Sequence, residues 1–222
     1  MVTNDDTIQS KEEELFKYWE QRHSSFVKDG IVSESDYLSS NKKVLLILKE
    51  VNFKRDESWD LRKYISEKPR GKTWNMVSFW IKGIQNLDKS FDWKSLKKIN
   101  KGERSEFLKS IVVINLKKTA GGGSSNKKEI KRFAQNDRKY LIQQFNLYKP
   151  DIVICCGTGS IVKEINLCGH FEWKRTNRGI KYGEFDKGRF VYSFYHPQAR
   201  YPNHFKYYML IDAIKESKNI DQ

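Results

Sequence analysis

Residues 43–52 read KVLLILKEVN, an apolar run from Val44 to Leu48 that stops at Lys49, Glu50 and Asn52. The run shows no polar alternation, which points to a strand buried on both faces of a parallel sheet. Three later stretches repeat the pattern. Ile111 to Ile114 is followed by Asn115, Lys117 and Lys118; Ile152 to Cys156 by Gly157-Thr158-Gly159; and Phe190 to Tyr195 by His196-Pro197. In open α/β sheets the ligand crevice lies beyond the carboxyl ends of the strands, so these four ends are expected to build one composite site.

The 222 residues suffice for a single domain, 1–222, with a core that needs no staples. Residues 1–42 are read as an N-terminal helical packing segment. The 42 Lys and Arg against 28 Asp and Glu give a net charge of +14, which favours a polyanionic partner and above all DNA. No apolar run approaches the ~20 residues of a membrane span, and the polar, acidic stretch Met1 to Ser10 does not resemble a secretory signal. A cytoplasmic monomer is expected, with no membrane partner. Cys155, Cys156 and Cys168 make neither a CxxC nor a Cys/His cluster. They are read as small buried hydrophobes without disulfide, zinc or iron–sulfur chemistry.

Along the chain, a stripe of Leu15, Phe16, Trp19, His23, Phe26 and Val27 predicts a helix over Lys11–Val27, ended by Asp29-Gly30. Two helices are expected over 58–65 and 73–87, joined by the loop 68–71, then short helical pieces over 91–109. The Gly-rich run Thr119 to Asn126 leads into a helical pattern over 127–147. Its backbone N–H groups, with Gly122, Ser124, Ser125 and the helix N-terminus, suit a phosphate, and Lys117, Lys118, Lys127 and Lys128 bracket it. Neither this run nor Gly157-Thr158-Gly159 has the spacing of a nucleotide-binding loop, so no nucleotide cofactor is expected. Gly179 to Phe194 reads as a hairpin around Asp186-Lys187-Gly188, and 204–214 as a closing helix.

A carboxylate, an amide and a histidine on one rim suit cleavage of a bond to a sugar. Glu50 would orient water or favour a positive sugar, His196 would donate to the leaving group, and Asn115 would read a base edge. The plain alternatives are a strand-end charge, a Pro-shaped turn and a cap. Among other classes, a DNA-binding module explains the charge but not the rim. A nuclease would draw on Asp56, Glu57 and Asp60 for a metal. A Schiff-base lyase would use Lys117 or Lys118.

The order of a first strand ending in an acid or amide, a second in Asn and a last in His-Pro resembles the uracil-DNA glycosylase superfamily over about residues 43–201. Lys49-Glu50-Val51-Asn52 stands where members carry Gly-Gln-Asp-Pro, Gly-Glu-Ala-Pro or Gly-Ile-Asn-Pro. Without a gap Glu50 matches the acidic second position; shifted by one, Asn52 takes the water-positioning place. Ile114-Asn115-Leu116-Lys117 resembles the base-reading strand end, and His196-Pro197-Gln198-Ala199-Arg200 the closing His-Pro-Ser motif. Arg200 falls at the wedge, where the family has Leu, and Gln198 replaces the Ser. Phe53 and Trp59 are in range of the aromatic floor beneath the base. The resemblance implies a three-layer α/β/α fold around a central four-stranded, mainly parallel sheet. It also implies a metal-free, monofunctional glycosylase that flips a base out of DNA. The departures at Lys49, Val51 and Gln198 argue against an ordinary uracil enzyme. Some bacterial members with this pattern act in phage defence on sugar-modified cytosines, the first substrate expected here; uracil or a deaminated base is the second.

Overall fold

The computed structural model describes residues 6–52, 58–67 and 69–219. It begins with α1 (Ile8–Trp19), a short 3-10 turn, β1 (Val27–Lys28), β2 (Gly30–Ile31), α2 (Glu34–Ser39) and β3 (Val44–Leu48). β4 (Trp59–Asp60), α3 (Leu61–Glu67), α4 (Lys72–Gln85), α5 (Trp93–Leu96), α6 (Lys101–Lys109) and β5 (Ile111–Asn115) follow. The rest is α7 (Lys127–Asn136), α8 (Arg138–Tyr148), β6 (Ile152–Cys156), α9 (Gly159–Glu164), β7 (Lys174–Arg175), β8 (Lys181–Asp186), β9 (Arg189–Phe194) and α10 (Asn203–Ser217).

The central sheet has seven strands in the order β2-β5-β3-β6-β9-β8-β7, where four were expected. The four anticipated strands are its parallel middle, β5-β3-β6-β9. Antiparallel strands extend both edges: β2 beside β5, and the hairpin partner β8 followed by β7 beside β9. The sheet is flanked by helices on both faces, and each central strand divides its side chains between two cores. Val44, Leu46 and Leu48 pack with α4, α6 and α10, whereas Leu45 and Ile47 pack with α1, α8 and α9. A strand buried on both sides has no position for a polar residue, which is why 44–48 reads as continuous apolar sequence.

The N-terminal segment departs from the helical expectation. α1 ends at Trp19, and His23, Phe26 and Val27 lie beyond it. Val27 enters β1, which pairs with β4 in a separate two-stranded sheet, and Gly30 and Ile31 form β2 of the main sheet. Asp29-Gly30 therefore joins two strands instead of closing a helix. The expected helix over 127–147 is two, parted at Asp137, whose carboxylate is held by His23 Nε2 at 2.8 Å and faces Arg22 Nε at 3.5 Å. All three cysteines are buried. Among the described residues, no helix is long and apolar enough to cross a membrane.

Candidate functional site

The ladder between β3 and β5 runs on past both strands. Leu116 N–H donates to Leu48 O at 3.0 Å, Lys117 N–H to Lys49 O at 2.9 Å, and Gly121 N–H to Val51 O at 2.8 Å. This continued pairing carries Glu50 and Lys117 outward together, and Lys117 Nζ reaches Glu50 Oε2 at 2.8 Å and Glu129 Oε1 at 2.9 Å. Burial alone would lower the Lys117 pKa, but the bonds to Glu50 and Glu129 outweigh it and hold the ammonium above its ordinary value. Gly121 closes over this pair: a Cβ there would place all three carboxyl atoms of Glu50 inside 3.0 Å. Asn52 is exposed and pairs through its backbone with Gly121.

Beneath this rim lies a polar group that the sequence reading missed. Asp29, fully buried between β1 and β2, accepts at Oδ2 from the Asn115 backbone N–H (2.8 Å) and from Asn115 Nδ2 (3.1 Å). Its Oδ1 accepts from Lys118 Nζ and from Gln144 Nε2 (3.0 Å), and Lys118 also donates to Gln144 Oε1 at 2.8 Å. A carboxylate only accepts, so it fixes which way the Asn115 amide faces. Nδ2 is turned to Asp29, and Oδ1 is left buried without a partner. A buried acceptor without a donor is costly, typically about 1–3 kcal/mol.

Lys117 and Lys118 are corrected as DNA-backbone residues. Lys118 is wholly enclosed, with its ammonium 4.7 Å from the Trp19 ring centre, and burial lowers its pKa against the pull of Asp29. Lys117 is held between two carboxylates. Neither presents a charge to a phosphate. The start of α7 is also partly spoken for, because Asn126 Oδ1 caps the N–H groups of Lys128 (3.0 Å) and Glu129 (3.3 Å).

His196 follows β9 and is half-buried. Its Nδ1 accepts from Gln198 N–H at 3.2 Å, which places the proton of the neutral ring on Nε2. Burial lowers its pKa, and the neighbouring Lys49 and Lys206 charges lower it further. Lys206, on α10 and almost fully buried, donates to Pro197 O at 2.6 Å and Ala199 O at 3.1 Å, so it clamps the loop that carries His196. Nothing in the residue pattern of α10 distinguishes this lysine from a solvated one.

Glu50, Asn52, Trp59, Asn115, Gly122, Ser125, His196 and Gln198 line one cavity of about 730 Å³, with Lys49, Arg70, Thr73 and Trp74. Trp59 packs against Tyr64, ring centres 5.3 Å apart, and against the core on the α4 side as well as lining the cavity. Gln198 Nε2 donates to Thr73 Oγ1 at 2.6 Å. Ser124 and Arg200 are exposed and outside the lining. Phe53, Asp56 and Glu57 lie outside the described residues, and Asp60 is engaged by Arg62. A second hollow of about 620 Å³ lies between α1 and α8 and gathers none of these groups.

A comparison with protein-family models gives no match for this sequence, and a comparison with curated proteins gives none. The glycosylase resemblance thus rests on its own motif residues and on their meeting in one cavity.

Proposed function

We propose that the chain is a monofunctional DNA glycosylase that turns a modified base out of DNA and hydrolyses its N-glycosidic bond. The observation that carries this reading is the convergence of Glu50, Asn115 and His196, which stand at or just past the ends of three different parallel strands, on one cavity. Asn115 Oδ1 accepts from an N–H on the base edge, and His196 Nε2–H donates to the departing base. Glu50 lies on the sugar side, with Asn52 the alternative for holding the water. The C1′–N bond breaks with its electron pair leaving on the base. The water oxygen bonds to C1′ and gives up a proton, and the base anion takes one from solvent. Preorganised donors at the place where charge develops supply the rate. The cavity falls within the ~300–1,000 Å³ of ligand pockets. The first substrate is a sugar-modified cytosine, in phage defence, on the departures at Lys49, Val51 and Gln198 from the family motifs; uracil or a deaminated base is the second.

The test is mass spectrometry of bases released from genomic DNAs of differing modification, with abasic sites counted on the same samples. Base release that persists in EDTA and falls about a hundred- to a thousandfold in His196→Ala and in Glu50→Gln is expected. If Asn52→Ala abolishes release while Glu50→Gln does not, Asn52 holds the water. Binding without any released base or abasic site would leave a DNA-binding module.

A further inference from the structure

Lys49 is the first residue past β3, on the cavity wall shared with His196. Its stem crosses the end of the neighbouring strand β6. A Cβ on Gly157 would lie 3.6 Å from Lys49 Cε and 4.0 Å from Nζ. Gly157 takes a left-handed turn at φ 75° and has no side chain. Lys49 therefore lies over the glycine that ends β6, in the lining it shares with His196.

The surrounding charges are unequal. Lys117 is neutralised by Glu50 and Glu129, and Lys118 by Asp29, whereas Lys49 makes no ion pair among the described residues. The Lys206 ammonium stands behind the His196 loop with only carbonyl partners, and Arg70 lies exposed on the cavity rim. Among the described residues Glu50 is the one carboxylate of this lining, and it already belongs to Lys117. Cations gathered around a neutral N–H donor repel one another in the empty protein, and an anion placed among them removes that penalty.

We infer that Lys49 and His196 together form an anion-binding subsite at the β3/β6/β9 end of the cavity. On the glycosylase reading, on which only this second step rests, the anion is the nucleobase leaving with the glycosidic electron pair. Lys49 is then a catalytic residue, its ammonium placed against the charge that His196 Nε2–H also meets.

Sulfate is the probe. It is titrated into the protein at constant ionic strength while the His196 ring resonances are followed by NMR. A saturable shift is expected for the wild type and for Lys49→Arg. In Lys49→Met, which keeps the apolar stem, affinity should drop at least about tenfold, the worth of one charge-assisted hydrogen bond. Lys187→Met, on the exposed hairpin turn, should bind as the wild type does. Equal sulfate affinity in Lys49→Met, or no saturable shift in the wild type, overturns the subsite. In single-turnover base release Lys49→Met should be slower by about a hundred- to a thousandfold, with Lys49→Arg partly restored. Full activity in Lys49→Met removes its catalytic role even where sulfate binds. Sulfate binding that depends on Lys49, without base release from any DNA, keeps the subsite and refutes the glycosylase.

Discussion

Three consecutive glycines, Gly121 to Gly123, make a graded test of how the rim is built. None of them has a positive φ, so alanine fits the backbone at each. Their surroundings differ: Gly122 and Gly123 have nothing within 4 Å of an added Cβ, whereas at Gly121 it would overlap the Glu50 carboxyl group. That carboxyl is not a free end that swings aside, since Lys117 holds it at 2.8 Å and Gly121 N–H is itself tied to Val51 O. Gly121→Ala is therefore an overpacking change, costing about 1–3 kcal/mol. At about 2–4 °C per kcal/mol for a domain of this size, Tm should fall by roughly 2–12 °C. Gly122→Ala and Gly123→Ala should be neutral or gain about 0.4–1 kcal/mol by restricting the unfolded chain. Urea denaturation followed by tryptophan fluorescence measures all three. The double variant Gly121→Ala with Glu50→Ala should cost less than the sum of its parts, because the second change removes the overlapped group. Equal effects at all three glycines, or strict additivity in the double variant, would refute this account of the rim.

Lys118→Met should destabilise the protein by about 3–5 kcal/mol in the same assay, because the buried Asp29 carboxylate loses its cationic partner; loss of DNA affinity at unchanged stability would instead return Lys118 to the surface. His196 should titrate below 6.5 by NMR, and Lys206→Met should move it back toward that value. Between the two pKa values the unfolded chain binds a proton that the native ring does not. This histidine's contribution is therefore complete above about pH 6.5 and is lost as the pH falls through its folded pKa. His196→Gln should remove that part of the pH slope, and an unchanged slope would count against the buried neutral ring.

The sequence declared the parallel strands clearly because their burial is two-sided. Val44–Leu48 and Ile152–Cys156 are bounded in the structure as the apolar runs are bounded in the chain. β1, β4 and β7 have two residues each, too few to show a period of two, and they went unread. The break between α7 and α8 carries neither Gly nor Pro. It depends on Asp137 being engaged by His23, 114 positions away. Long-range pairing also explains the misreading of Lys117 and Lys118. Sequence shows that a lysine is charged, but not that Asp29, 89 positions earlier, waits for it in the interior. Asn115 is legible as a strand end because the apolar run stops there, while Asp29, which sets its amide, reads as part of a helix stop.

The basic excess divides into two parts with different physics. Lys117, Lys118, Arg62 and Lys206 are turned inward, where each satisfies a carboxylate, an amide or a carbonyl. The charge that a polyanion meets is carried by exposed side chains such as Lys127 and Lys128 beside the glycine loop, Arg70 at the cavity and Arg200 just past its lining. These long stems act over about a Debye length and weaken with salt, so on the glycosylase reading they would bring DNA to the rim without distinguishing its sequence. Inside the cavity, Asn115 Oδ1 and His196 Nε2–H are fixed by Asp29 and by the Gln198 backbone. Fixed donors and acceptors lose little freedom when a ligand arrives and penalise one that cannot match them. On the glycosylase reading, affinity for DNA and choice of base thus reside in separate shells of one site. Salt should act on the first and leave the second intact, since base contacts specify while phosphate contacts position.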